Sequence, residues 1–115
     1  MTGVQTCALP IFAAGVAVIC VGTDVRSSRE AVEFAESHDN VWAVVGIHPH
    51  EAAANRADAI RELLAHKSDA VVGIGEIGLD YYYSHSPRQA QLERLGEQLR
   101  LATSKIGRAS CRERV

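Results

Sequence analysis

Residues 73–83 read GIGEIGLDYYY and follow a short apolar run at residues 70–72. This stretch predicts a buried strand over residues 70–74 that ends at a glycine-rich loop carrying Glu76. The three glycines around Glu76 leave space for a metal ion or a substrate to approach the backbone. A carboxylate at the end of a buried parallel strand is expected for a metal ligand in a barrel or an open α/β sheet. Glu76 is therefore the candidate metal ligand.

Two further apolar runs, at residues 15–21 and 41–47, predict buried strands. Helical periodicity predicts helices over about residues 28–37, over residues 57–66 and from residue 86 onward. Strands that alternate with helical crossovers form a parallel sheet covered by helices. The sequence therefore predicts an α/β fold with three parallel strands.

Local signals predict where the first and third helices begin. Ser27 and Glu30 have the spacing of a capping box. Ser86 is the predicted cap of the third helix, with Pro87 at its first position. The predicted apolar stripe of that helix consists of Leu92, Leu95, Leu99 and Ala102.

The loops after the second and third strands carry the polar candidates. Because parallel strands end on one face, His48 and His50 should lie beside Glu76. Imidazoles can ligate zinc-like ions or contact a substrate phosphate, and we take His48 and His50 as substrate-binding candidates. Glu76 could alternatively cap its loop or pair with an arginine.

Asp80 and the three tyrosines that follow it complete the candidate loop. Asp80 could orient a metal ligand or the loop, or it could be a turn residue that accepts a backbone hydrogen bond. The rings at residues 81–83 could stack on a base or line a cleft. Packing at the rim of a barrel is their plainer explanation.

The two ends of the chain do not fit the pattern between them. Residues 1–11 and residues 106–115 both resemble translations of short-read sequencing adapters, and neither continues the periodicity of its neighbour. We interpret both as non-native segments to be set aside in fold reasoning. Residues 12–105 are then the natural part, which is small enough for one domain or a piece of one.

Composition excludes several classes of protein. The chain has a formal net charge of −2, and residues 106–115 hold three arginines and one glutamate, so residues 12–105 carry −4. That charge argues against a basic nucleic-acid-binding module, but not against an enzyme that meets phosphates through metal ions. Only Cys20 lies in the natural part, which rules out a disulfide framework and favours a reducing, cytoplasmic setting. No run is apolar enough to span a membrane, and nothing indicates an obligate protein partner.

Taken together, these motifs resemble those of the TatD family of metal-dependent deoxyribonucleases. The resemblance rests on VGIHPH at residues 45–50, on residues 73–83, on SPR at residues 86–88 and on GTD at residues 22–24. Gln91 and Leu99, which follow the SPR motif, also fit. These elements cover nearly all of residues 12–104 in the family's order.

The resemblance implies a (β/α)8 TIM barrel of the amidohydrolase type. It implies divalent metal ions (Mg, Mn or Zn, two per complete enzyme) at the strand ends and hydrolysis of DNA phosphodiester bonds by a metal-activated water. In the family's pattern, the glutamate that matches Glu76 is a metal ligand, often shared by two ions. The histidine that matches His48 lies near the site and helps to bind the substrate. Asp80 would then support the metal site from a second layer of contacts. DNA is then the substrate of the complete enzyme.

This chain lacks other parts of the family's pattern. An N-terminal His-x-His metal pair, two later histidines and a later aspartate that would be the general base are not in the sequence. We therefore expect a partial barrel, equivalent to strands two to four of eight, with no catalytic residue of its own and no nuclease activity as it stands. The alternatives are an amidohydrolase-type enzyme acting on a small-molecule ester or amide, and a non-catalytic α/β binding module.

Overall fold

A four-stranded parallel sheet with a layer of helices organises the chain. The computed structural model describes residues 10–11, 13–66 and 69–114. The strands lie in the order in which they occur along the chain: β1 (Val18–Val21), β2 (Val41–Val45), β3 (Val71–Asp80) and β4 (Ala109–Arg114). The helices are α1 (Val25–Glu36), α2 (Ala57–Ala65) and α3 (Arg88–Leu101). A 3-10 turn (Pro49–Glu51) follows β2, and a π-helical turn (Ala102–Ile106) follows α3.

The predicted fold class is confirmed, since parallel strands joined by helical crossovers form an arc of a barrel. Three strands were predicted and the structure has a fourth. β4 lies in residues 106–115 and pairs with β3 from Ile77↔Cys111 to Asp80↔Arg114. Parallel pairing uses main-chain groups, so a strand can form there without the apolar run on which the prediction relied. The predicted N-terminal segment lies outside the described residues except for Pro10 and Ile11.

The third strand is longer than predicted. β3 runs from Val71 to Asp80, so Glu76 lies within the strand and not in a loop after it. The register shifts between Ile74 and Ile77, and the Gly75–Glu76 peptide bond in this stretch is cis. The predicted loop is wrong because β4 pairs with residues 77–80 and keeps them extended.

The helix starts also differ from the prediction. α1 begins at Val25, with Asp24 as its cap in place of Ser27. The Ser27 backbone N–H donates to Asp24 Oδ1 (2.7 Å), and the Asp24 N–H donates to Ser27 Oγ (3.1 Å), so the box forms one turn earlier. The cap position of α3 is Pro87, and Ser86 makes other contacts described below.

The core lies between the sheet and the helix layer. α1 packs on β1 and β2, α3 packs on β3, and α2 contacts both other helices. The largest fully buried apolar side chains include Phe34, Val45, Ile47, Ile60, Ile74 and Ile77. On the opposite face, β1 presents Ile19, which is 58% exposed, and Val21. The prediction that the first strand is buried on both faces is therefore wrong, because more than half of each of these two side chains is exposed.

Helix α3 turns a polar face toward the sheet. Gln91 and Gln98 are fully buried, whereas Leu92 and Leu99 of the predicted apolar stripe are exposed. Leu95 and Ala102 of the predicted stripe do pack in the core, so the prediction is wrong only for Leu92 and Leu99. The orientation is set by the two glutamine amides, which find main-chain partners at the ends of β2 and β3.

Candidate functional site

The carboxyl ends of β1, β2 and β3 meet at one edge of the sheet. Main-chain hydrogen bonds join them there: the Glu76 N–H donates to Gly22 O (3.2 Å), and the His48 N–H donates to Thr23 O (2.8 Å). The backbones of Glu76 and His48 are thus both anchored to the segment that follows β1. The predicted proximity of His48 and Glu76 agrees with this arrangement, although Glu76 lies within β3 and not in a loop after it.

His48 and Glu76 form the central pair of the site. His48 Nε2 lies 3.3 Å from Glu76 Oε2, and the carboxylate is partly exposed while the imidazole is buried. The His50 backbone N–H donates to His48 Nδ1 (3.1 Å), so in the neutral ring the proton is on Nε2, facing Glu76. Burial, together with nearby His50, lowers the pKa of His48, although Glu76 opposes this. At neutral pH His48 therefore presents a neutral N–H donor.

His50 and Asp80 form a second pair beside the first. The His50 Nε2–H donates to Asp80 Oδ2 (2.8 Å), and the Tyr83 backbone N–H donates to Asp80 Oδ1 (3.1 Å). Burial acts to raise the pKa of Asp80, but these hydrogen bonds and the charges of His50 and Arg112 together lower it below its usual value. Asp80 is thus an ionised, fully buried acceptor that fixes the His50 ring and the turn after β3. The turn role expected for Asp80 is present, and the side chain that it orients is that of His50, a substrate-binding candidate. Its support of a metal ligand stays a prediction.

Two buried glutamines of α3 hydrogen-bond the backbone just after β2 and at the end of β3, next to the residues of these pairs. Gln98 accepts from the Ile47 N–H (2.7 Å) and donates to Ile47 O (3.2 Å). Gln91 accepts from the Asp80 N–H (2.8 Å) and donates to Asp80 O (3.3 Å) and Ser86 O (2.8 Å). Sequence reasoning missed Gln98. The only pattern that could have revealed it is the spacing of Gln91 and Gln98, two polar residues seven apart in a helix. Such spacing usually indicates a helix face exposed to solvent.

Ser86 ties the turn after β2 to the start of α3. Its hydroxyl donates to His50 O (2.9 Å) and accepts from the Ala53 N–H (3.2 Å). The predicted capping role for Ser86 is wrong because its hydroxyl is used here. The contact fixes the backbone on which His50 sits.

The site offers a type of donor atom that binds divalent cations, but too few such donors among the described residues to enclose one. Glu76 supplies a partly exposed carboxylate, and carboxylates suit Mg²⁺, Mn²⁺ and Zn²⁺. His48 directs a protonated Nε2 toward it, which fits donation to an anion better than ligation. Across residues 10–11, 13–66 and 69–114, no three His, Cys, Asp or Glu side chains cluster closely enough to enclose a metal ion.

The tyrosines after β3 do not share one environment. Tyr81 is partly buried, with the Arg88 guanidinium 4.4 Å from its ring centre. Tyr82 and Tyr83 are 69% and 50% exposed. Rim packing therefore describes Tyr81, whereas the other two rings project from the edge of the site.

No helix in the described part of the chain is long and apolar enough to cross a bilayer.

The chain is similar to known proteins over most of its length. A family model described as TatD related DNase matches residues 10–106. A protein of Citrobacter rodentium named 3'-5' ssDNA/RNA exonuclease TatD is 37% identical over 93 residues, which cover 79% of this chain and 35% of that protein. A Bacillus subtilis protein named uncharacterized metal-dependent hydrolase YabD is 38% identical over 88 residues, covering 74% of this chain and 34% of that protein.

A solved structure agrees with the sequence comparisons. The crystal structure of YJJV, a TatD homolog from Escherichia coli, superimposes with a TM-score of 0.68 at 27% identity, covering 75% of this chain and 34% of that one. The chain spans about a third of the length of the curated relatives it matches. The family match takes in both strand exits and all four candidate residues, His48, His50, Glu76 and Asp80. On this combined likeness, the chain belongs to the TatD related DNase family.

Proposed function

We propose that this chain is part of a metal-dependent hydrolase that cleaves phosphodiester bonds in DNA. The proposal is carried by one observation: the Glu76 carboxylate lies 3.3 Å from the His48 imidazole at the carboxyl edge of a barrel arc, in a chain of this family. The relatives' names, an ssDNA/RNA exonuclease and a metal-dependent hydrolase, support the nucleic-acid substrate and the metal. We propose Mg²⁺, Mn²⁺ or Zn²⁺, with two ions in the complete enzyme.

Each candidate residue has a proposed role. Glu76 holds a metal ion, and a divalent cation in such a site polarises a phosphoryl oxygen. His48 donates its Nε2–H to a phosphate oxygen of the substrate, which its protonation and its position beside Glu76 allow. His50 also faces the substrate, in an orientation fixed by Asp80. We assign no catalytic acid or base to the described residues.

A metal-binding experiment tests the role of Glu76 without depending on activity. Titration of the ¹⁵N-labelled chain with Mn²⁺ should broaden the backbone signals of residues 46–48 and 75–77 before others, because paramagnetic broadening is local. Glu76→Gln should abolish this pattern. The matched control is Glu62→Gln, which removes one exposed carboxylate from α2 and should leave the pattern unchanged. Broadening that survives Glu76→Gln would exclude this carboxylate as the ligand, and a binding module should show no site-specific broadening at all.

A graft tests the substrate. The aligned part of this chain can replace its counterpart in the Citrobacter rodentium relative, and the chimera assayed on end-labelled single-stranded DNA with Mn²⁺ or Mg²⁺. We expect metal-dependent cleavage that is lost in Glu76→Gln and retained in Glu62→Gln. A folded chimera that hydrolyses a small ester but not DNA would favour the small-molecule alternative.

The chain by itself should not cleave DNA. Its described residues provide one well-placed carboxylate and no cluster of three ligand side chains, which is too few to hold a catalytic cation tightly. Incubation with DNA and Mg²⁺ or Mn²⁺ checks this expectation. Clear cleavage that disappears in Glu76→Ala would overturn it.

A further inference from the structure

A continuous row of rings leads from the Glu76–His48 pair to solvent. The His48 and His50 ring centroids are 4.3 Å apart, and His50 and His85 are 4.4 Å apart. Tyr83 lies 6.0 Å from His50 and 5.8 Å from His85, and Tyr82 lies 4.9 Å from Tyr83. We call these five residues the aromatic row. Its inner end contacts the candidate metal ligand and its outer end is exposed.

The outer rings contribute little to the fold. Tyr82 and Tyr83 are 69% and 50% exposed, so most of their apolar surface stays in water. Burial of such rings is what stabilises a core, and here it is incomplete. Tyr82 and Tyr83 meet almost perpendicularly, at 89°, so their contact covers at most one ring face. Tyr83 is itself stacked on His85, at 13°, and the Arg114 guanidinium lies over both tyrosine rings. The exposure of Tyr82 and Tyr83 still leaves ring surface accessible to a flat partner.

The charge around the site argues for stacking as the main source of affinity. The whole chain, including the three arginines and one glutamate of residues 106–115, carries a formal net charge of −2. A surface of that sign cannot bind nucleic acid by neutralising many phosphates. One cation, Arg114, lies at the row, 5.6 Å from the Tyr83 ring centre. A second, Arg88, lies 4.4 Å from the ring centre of Tyr81, the residue that precedes the row in sequence. They can each meet one backbone phosphate.

We propose that Tyr82 and Tyr83 form a stacking site for the bases of single-stranded nucleic acid, next to the phosphate that His48 contacts. This inference rests on the proposed function and adds a binding site to it. Bases in a duplex are already stacked, so only an unpaired strand offers free base faces to these rings. Because every base has a π face, the site should be tolerant of sequence and of the sugar.

Metal-free binding tests the site separately from cleavage. Fluorescence anisotropy in EDTA would compare a labelled thymidine octanucleotide with an abasic octanucleotide of the same charge. We expect the thymidine strand to bind about fivefold or more tightly, since each stacked base adds appreciably to affinity. Its affinity should fall less than about tenfold between about 50 and 200 mM salt. A ribose octanucleotide with bases should bind like the deoxyribose strand.

Substitutions then locate the site. Tyr82→Ala and Tyr83→Ala should each weaken binding of the thymidine strand about fivefold and leave the abasic strand unchanged. The matched control, Tyr82→Phe, keeps the ring and should bind within about twofold of wild type. The comparison of base-bearing and abasic strands on the wild-type chain needs no variant, so it stands even if an alanine variant folds poorly.

Several results would overturn the stacking site. These are equal binding of the two strands, no binding of the thymidine strand, alanine variants that bind like wild type, or a phenylalanine variant as weak as alanine. Its failure is distinguishable from failure of the proposed function. Mn²⁺ binding that depends on Glu76, with no effect of the tyrosines, keeps the function and removes the stacking site. Tighter binding of the thymidine strand than of the abasic strand, without any Glu76-dependent metal binding, would keep the stacking site and remove the proposed function.

Discussion

Replacing Gln98 with leucine should destabilise the chain more than almost any other single change on α3. Gln98 is fully buried, and its amide holds both main-chain groups of Ile47, accepting from the N–H at 2.7 Å and donating to the carbonyl at 3.2 Å. Leucine has a similar volume, so little cavity forms. What changes is that a buried N–H and a buried carbonyl lose their partner.

The expected cost follows from those two groups. A buried polar group left without a partner costs about 1–3 kcal/mol, so two such groups cost about 2–6 kcal/mol. A domain of this size has a total stability of about 5–15 kcal/mol. The variant should therefore lose a large fraction of its stability, and with a urea m-value of about 1–3 kcal/mol/M the midpoint should fall by about 1 M or more.

Urea unfolding followed by Trp42 fluorescence measures this loss, because Trp42 lies in β2, the strand whose exit Gln98 holds. The matched control is Gln89→Leu, the same chemical change on the same helix at an exposed position where the amide reaches only Glu93. The control should move stability by less than about 0.5 kcal/mol. Equal midpoints for the two variants would refute the idea that Gln98 holds the strand exit.

Other substitutions test the cap and the tight backbone contacts. Asp24→Ala should cost about 1 kcal/mol in urea unfolding at pH 7 through loss of the α1 cap. Hydrogen bonds from Ser27 lower the pKa of Asp24 below its ordinary 3.8. The stabilisation is therefore present above that ordinary value and lost as pH falls through the folded-state pKa. Wild-type and variant midpoints should accordingly converge below about pH 4, and a gap that persists at pH 2 would contradict the assignment. Gly46→Ala places a Cβ 2.6 Å from Gly75 O and should cost about 1–3 kcal/mol. Gly96→Ala has its nearest neighbour, a flexible guanidinium, at 3.5 Å and should stabilise α3 by about 0.5–1 kcal/mol; similar midpoints for the two glycine variants would contradict the contact at Gly46.

Periodicity and strand-end chemistry predicted most of the architecture. Apolar runs located β1, β2 and the start of β3, and the parallel order followed from the helical crossovers. The same argument brought His48 and Glu76 to one edge, where they lie 3.3 Å apart. These features depend on local pattern and on a general rule of parallel sheets, so one sequence suffices to predict them.

The errors arose where a distant partner decides the local structure. β3 continues through Glu76 to Asp80 because β4 pairs with it, and residues 109–114 lack the apolar run that would have predicted a strand. The origin of residues 106–115 in an adapter stays a prediction. Similarly, Asp24 caps α1 because its carboxylate reaches the Ser27 N–H, a choice between two neighbouring capping patterns that spacing alone leaves open.

The polar face of α3 explains why the two pairs of the site stay in fixed relation. Gln91 and Gln98 are seven residues apart, so they lie on one face of the helix, about 10 Å apart along its axis. One holds the backbone of Asp80, and the other holds Ile47, the residue before His48. The helix thus adds a second constraint between the ends of two strands that already pair with each other along their length. Apolar contacts could not do this as specifically, because they are non-directional, whereas each amide accepts one N–H and donates to one carbonyl of the same residue. The buried glutamines reduce the apolar burial of α3, but they anchor the residue before His48 and the backbone of Asp80 to the same helix.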